Sequence, residues 1–170
     1  HQTKAATIAI ADHEGPVYLR FGRPGWPIFT PEDQTFEIGK AITMAEGSDV
    51  TIFATGHMVW QSVEAAKALA KEGVSVELIN IHTIKPLDET AVLASIAKTG
   101  CAVTAEEHQI AGGLGGSIAQ VITRHQPAPL EFVGVNDSFG ESGKPVDLLN
   151  KYGLGVDDVV AAAKKVMERK

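Results

Sequence analysis

The residues of this 170-residue chain best suited to chemistry fall into three groups. The first is a run of glycines, Gly112, Gly113, Gly115 and Gly116, inside "EEHQIAGGLGGSIAQVI" (Glu106 to Ile122). They sit where a predicted strand ends and a predicted helix begins, and glycines there let backbone N–H groups approach a phosphate. The second is a pair of arginines, Arg20 and Arg23, at the end of "GPVYLRFGR". A guanidinium fork matches the oxygens of a phosphate; the competing role is a pair of interdomain salt bridges. The third is a set of histidines, His57, His82 and His108, each at the end of a predicted strand, where parallel sheets place their sites.

Spacing narrows these options. A dinucleotide fingerprint has the form G-x-G-x-x-G at the first strand-to-helix turn, followed by an acidic residue after the next strand. Here the spacing is G-G-x-G-G, it comes late in the chain, and no P-loop lysine accompanies it. The glycines are therefore expected to permit a tight turn and close helix–sheet packing. No zinc-like spacing joins the histidines, which are expected to be hydrogen-bonded or interfacial, with no metal site. Glu106, Glu107 and His108 form the densest polar group, suited to capping the glycine loop or touching a neighbouring domain. Cys101 opens an apolar strand as a small core residue, and Trp60 is expected to pack rather than to bind a ligand. No catalytic, cofactor-binding or metal-binding residue is assigned, and Arg23 and Arg20 are the phosphate-binding candidates.

The elements that must carry these residues follow from hydrophobic patterning. Predicted strands run over Val50 to Thr55, Val74 to Asn80, Cys101 to Glu107 and Leu130 to Val135. Between and after them come helical stretches: Met58 to Gly73, Pro86 to Gly100 with Asp88 as N-cap and Gly100 as the stop, Gly115 to His125, Val146 to Gly153 and Val156 to Lys170. Strands apolar on both faces that alternate with helices predict an α/β three-layer fold, with a mostly parallel, roughly five-stranded sheet.

The beginning departs from this rhythm. Lys4 to Ala11 reads as a helix and Gly15 to Gly22 as a strand, and Arg23 to Gln34 is rich in proline and polar residues. The expected organisation is a tail of a preceding domain over 1–24, a linker over 25–36 and an α/β domain over 37–170. Composition sets outer bounds. The chain is 44% hydrophobic and 21% charged, with net charge -6 and no lysine or arginine run, which argues against a nucleic-acid partner. No apolar run has the length of a membrane span. The single cysteine excludes an internal disulfide and fits a reducing, cytoplasmic compartment.

Several segments, in order, resemble the C-terminal part of the transketolase family of thiamine diphosphate enzymes. They are "GPVYLRFGR" (Gly15 to Arg23), "GSDVTIFATGHMVWQSVEAAKAL" (Gly47 to Leu69), "VELINIHTIKPLDE" (Val76 to Glu89) and "TAEEHQIAGGLGGSIAQVI" (Thr104 to Ile122). Deoxyxylulose phosphate synthases and pyruvate dehydrogenase beta chains share the Lys-Pro-Leu-Asp helix start, whereas "FGESGKPVDLLNKYGL" (Phe139 to Leu154) favours transketolase. The resemblance implies a homodimeric enzyme that moves a two-carbon ketol unit between sugar phosphates in the pentose phosphate pathway. It also implies that thiamine diphosphate and magnesium lie elsewhere, because this sequence has no Gly-Asp-Gly motif and no room for the strand bearing the activating glutamate. The chain alone is then expected to be inactive, to need an N-terminal transketolase section or its missing domains as partner, and to support dimer assembly and the substrate entrance. In the related enzymes an arginine of the "GPVYLRFGR" segment reaches the substrate phosphate, and the resemblance points to Arg23 ahead of Arg20.

Overall fold

The computed structural model describes residues 1–22 and 25–170. Its elements in chain order are α1 (Gln2–Ala11), β1 (Ile42–Ala45), β2 (Val50–Ala54), α2 (Met58–Lys71), β3 (Val76–Asn80), α3 (Glu89–Thr99), β4 (Ala102–Gln109), α4 (Leu114–His125), β5 (Leu130–Val135), α5 (Pro145–Lys151) and α6 (Val156–Met167). The five strands form one sheet in the order β1-β3-β2-β4-β5, with β1 antiparallel and the other pairs parallel.

The sheet is covered on both faces because its central strands are apolar on both. Within β2, Ile52 faces a core shared with Met58, Leu69, Val159 and Val166 of α2 and α6. Its neighbour Phe53 faces the opposite core, shared with Val92, Ile96, Leu114 and Ile118 of α3 and α4. Successive strand residues point to opposite faces, so one five-residue strand anchors two layers. Fully burying a side chain of this size contributes about 1.5–3 kcal/mol. Cys101 is fully buried beside this core, and burial pushes its thiol pKa up. Asp88 accepts from the Ala91 N–H at 3.1 Å and Gly100 closes α3 with φ 72°, as their residue types predict. No helix among the described residues is long and apolar enough to cross a membrane.

One expectation is corrected. Gly15 to Gly22 forms no strand. Its Tyr18 and Phe21 are 86% and 67% exposed, so an alternating pattern without an adjoining strand edge has nothing to pair with. The fifth strand of the sheet, over which no strand is predicted, is β1, four residues ("ITMA") paired antiparallel along β3 with a register irregularity between Thr43 and Ala45. Residues 25–36 contain no helix or strand, as their composition predicts.

Candidate functional site at the ends of β2 and β4

Strand β2 has β3 on one side and β4 on the other, and the connecting helices α2 and α3 lie on opposite faces. The carboxyl ends of β2 and β4 therefore flank the point where the winding reverses, the place where open α/β sheets form a crevice. Ala54 of β2 pairs with Ala105 of β4, and the Thr55 N–H donates to the Ala105 carbonyl at 3.1 Å. The residues just beyond, His57 and Glu107, are thereby neighbours.

Beyond Ala105, β4 leaves regular register. Ala105 pairs with Val133 and Gln109 with Val135, so Glu106, Glu107 and His108 together lie opposite Gly134. Bulges of this kind re-aim side chains. Glu106 turns inward and is 2% exposed. Its Oε2 accepts from the Leu114 N–H at 2.7 Å and its Oε1 from the Gly115 N–H at 2.8 Å. The first turn of α4 thus already holds an anion, the chain's own carboxylate, in the position where a phosphate would otherwise sit.

Three glycines of the run each have a separate reason. Gly112 has φ 85°, a left-handed turn conformation. A Cβ on Gly113 would lie 2.0 Å from Glu106 Oε2, although its φ of -91° suits any residue. A Cβ on Gly115 would lie 2.5 Å from the Phe132 ring and 2.7 Å from Thr104 Oγ1. A Cβ on Gly116 would meet nothing within 4 Å. Gly112, Gly113 and Gly115 are thus required by the turn and by close packing, whereas Gly116 is not.

Glu107 turns the other way. Its Oε2 lies 2.9 Å from His57 Nδ1, with the imidazole 16% exposed. The second ring nitrogen is covered as well, since a Cβ on Gly22 would fall 1.7 Å from His57 Nε2. Trp26 lies against the same ring, 4.8 Å between centroids. Arg20 Nη2 donates to the Glu107 carbonyl at 3.3 Å from an exposed position. The site therefore gathers Arg20, Gly22, Trp26, His57 and Glu107. Both nitrogens of the imidazole face the chain itself, so the group suits holding the segment that carries Arg20 rather than exchanging protons with a substrate. Arg23, the other phosphate candidate, lies outside the described residues.

The remaining sequence candidates are placed apart. His82 follows β3 beside the ring of Phe36, 4.3 Å between centroids, and its Nδ1 is 2.9 Å from Thr83 Oγ1. Burial pushes its pKa down, and its Nε2 is buried without a hydrogen-bond partner. It borders an open pocket of about 350 Å³ with Gln34, Lys40 and Ile42. His108 is exposed, with Nδ1 3.2 Å from the Gln109 carbonyl. Trp60 packs on Phe29 at 5.5 Å, with Lys67 Nζ 5.5 Å from its ring centroid. Among the described residues no group of three or more His, Cys, Asp or Glu side chains is placed to hold a metal. The resemblance places thiamine diphosphate and magnesium outside this sequence, and here the N–H groups of Leu114 and Gly115 are committed to Glu106. Sequence reasoning missed Gly22 and Trp26. The aromatic Trp26 amid prolines was the available signal.

A family model described as "Transketolase, C-terminal domain" matches residues 39–159. The chain is 46% identical over 169 residues to a 6-deoxy-6-sulfo-D-fructose transketolase subunit of Clostridium sp., covering 99% of this chain and 52% of that protein. It is 40% identical over 171 residues to a putative transketolase C-terminal section of Methanocaldococcus jannaschii, covering 99% of this chain and 52% of that protein. A solved structure described as a split gene transketolase, inactive beta4 tetramer, superposes with a TM-score of 0.92 at 46% identity, covering 96% of this chain and 55% of the other. The chain thus spans about half the length of the curated relatives it matches. On this agreement of sequence, fold and extent, the chain belongs to the transketolase C-terminal domain family.

Proposed function

We propose that this chain supplies the C-terminal section of a transketolase that moves a two-carbon ketol unit between sugar phosphates. The observation that carries the reading is the 46% identity, over 99% of the chain, to a transketolase subunit. Thiamine diphosphate and magnesium are held by an N-terminal transketolase section or by domains outside this sequence and supply the carbanion chemistry there. This chain contributes the braced end of its sheet to the domain junction and substrate entrance, supports a homodimer, and offers Arg23 or Arg20 to the substrate phosphate. A role at a domain junction accounts for the aromatic rings of Tyr18 and Phe21 that the chain leaves exposed.

The test is reconstitution. The chain is joined to an N-terminal transketolase section, and ketol transfer between phosphorylated sugars is followed. Titration calorimetry of the chain alone with thiamine diphosphate and magnesium should give no stoichiometric binding, and the assembled protein should bind both and turn over. Tight binding by the chain alone would overturn the assignment. Condensation of pyruvate with a triose phosphate, without ketol transfer, would assign it to a deoxyxylulose phosphate synthase instead.

A further inference from the structure

Three contacts of the stretch of chain that bears Arg20 converge on one pair of residues, His57 and Glu107. Arg20 Nη2 reaches the Glu107 carbonyl. The Gly22 backbone lies against the edge of the His57 ring so closely that a Cβ would come within 1.9 Å of both Nε2 and Cε1. Trp26 lies 4.8 Å from the same ring. The ring itself is fixed from below by the Glu107 carboxylate at 2.9 Å. Glu107 in turn stands next to Glu106, whose carboxylate is bound to the first turn of α4. A side chain held this firmly, and touched from several directions by one loop, fixes where that loop lies.

We propose that His57 is a positioning residue, the peg against which Gly22 and Trp26 are seated, and that it thereby sets where the Arg20 guanidinium is presented. The consequence for catalysis rests on the reading above, in which an arginine of this stretch meets the substrate phosphate. The seating itself does not. Two features of the ring are needed together. Its Nδ1 must hold Glu107, and its flat body must fill the space between Gly22 and Trp26. His57→Asn keeps an N–H for Glu107 and loses the body, whereas His57→Phe keeps the body and loses the N–H. Gly22→Ala attacks the contact from the other side.

The sequence has two tryptophans, Trp26 and Trp60, so a Trp60→Phe background leaves Trp26 as the sole reporter. In that background, the emission and anisotropy decay of Trp26 are recorded for the chain and its His57→Ala, His57→Asn, His57→Phe and Gly22→Ala variants. Each variant should shift the emission to the red and add a fast decay component. The His57→Ala, Gly22→Ala double variant should go no further than either alone, because residues in contact are non-additive. Far-ultraviolet circular dichroism identifies any variant that fails to fold, and His57→Phe, the most conservative in volume, then decides. In the assembled enzyme, His57→Phe should raise KM for a phosphorylated acceptor about tenfold with kcat nearly unchanged, the pattern of lost uniform binding. An unphosphorylated acceptor should be indifferent. Trp26 emission and anisotropy that stay native in folded His57→Phe and Gly22→Ala would overturn the proposal, whatever the enzyme does. Loosened Trp26 with equal kinetics on both acceptors would keep the peg and overturn the phosphate reading.

Discussion

Replacing Glu106 is the sharpest test of whether its carboxylate occupies the anion position at the glycine turn. In Glu106→Ala, the N–H groups of Leu114 and Gly115 lose the oxygens at 2.7 and 2.8 Å that satisfy them. Hydrogen bonds to charged groups contribute about 1.5–3 kcal/mol each, and donors left buried without partners add a desolvation cost. Breaking a buried charged contact of this kind costs about 3–5 kcal/mol. For a chain of this size that corresponds to a fall in Tm of about 6–20 °C. Glu106→Gln keeps one acceptor but turns an NH2 group toward the second N–H, so it should cost about 2–3 kcal/mol. Denaturant midpoints give both values. Formate or acetate should then bind the vacated turn of Glu106→Ala and raise its midpoint, relative to chloride at matched ionic strength, while leaving the native chain unchanged. A Glu106→Gln variant as stable as the native chain, or no response of Glu106→Ala to carboxylates, would refute the reasoning.

Neighbouring positions carry further expectations. Gly115→Ala should destabilise by at least about 1–3 kcal/mol through overpacking against Phe132 and Thr104, and Gly116→Ala, with open space around it, should be neutral or stabilise by up to about 1 kcal/mol; thermal midpoints of the two variants check the contrast. Glu131 is held below the usual carboxylate range, first by its hydrogen bond to Lys165 and then by Arg169. A depressed folded pKa gives stability that is present above the unfolded value and lost as pH falls through the folded one. The deficit of Glu131→Gln in urea melts should therefore be largest near neutrality and fade in acid; a deficit independent of pH counts against the ion pairs. In the assembled enzyme, Arg23→Ala should lower kcat/KM for phosphorylated sugars by about one to two orders of magnitude and spare unphosphorylated ones. Arg23→Lys should restore only part, because an ammonium lacks the fork. Equal losses on both substrates would assign Arg23 to the domain junction.

The elements best read from sequence were those whose signals are local. Asp88 and Gly100 mark the ends of α3 by residue type alone, and the apolar runs of β2, β3 and β4 are long enough to stand without their neighbours. What escaped was set by tertiary partners. The four residues of β1 become a strand because the free edge of β3 offers them a ladder. Gly15 to Gly22 has the better β composition and no ladder, so it remains irregular. For the site, sequence placed His57 and Glu107 correctly at strand ends but could not join them. Their meeting depends on the register of Ala54 with Ala105, and a slip of one residue would turn Glu107 to the other face.

The pleat of β4 also explains why adjacent carboxylates do such different work. Successive side chains of a strand leave on opposite sides, so Glu106 goes to the helix layer that contains α4 and Glu107 to the crevice with His57. The capping of α4 and the seating of the Arg20 loop therefore share one short piece of backbone. Three residues opposite Gly134 leave that piece off the regular ladder, and the two bonds to Glu106 help tie it down beside the contact of Glu107 with His57. Loss of Glu106 should then reach beyond α4: the Glu107 carboxylate should drift from His57, and Trp26 should loosen with it. Position and stability are coupled here through a peptide bond rather than through a distant network, which is how the glycine turn bears on the site.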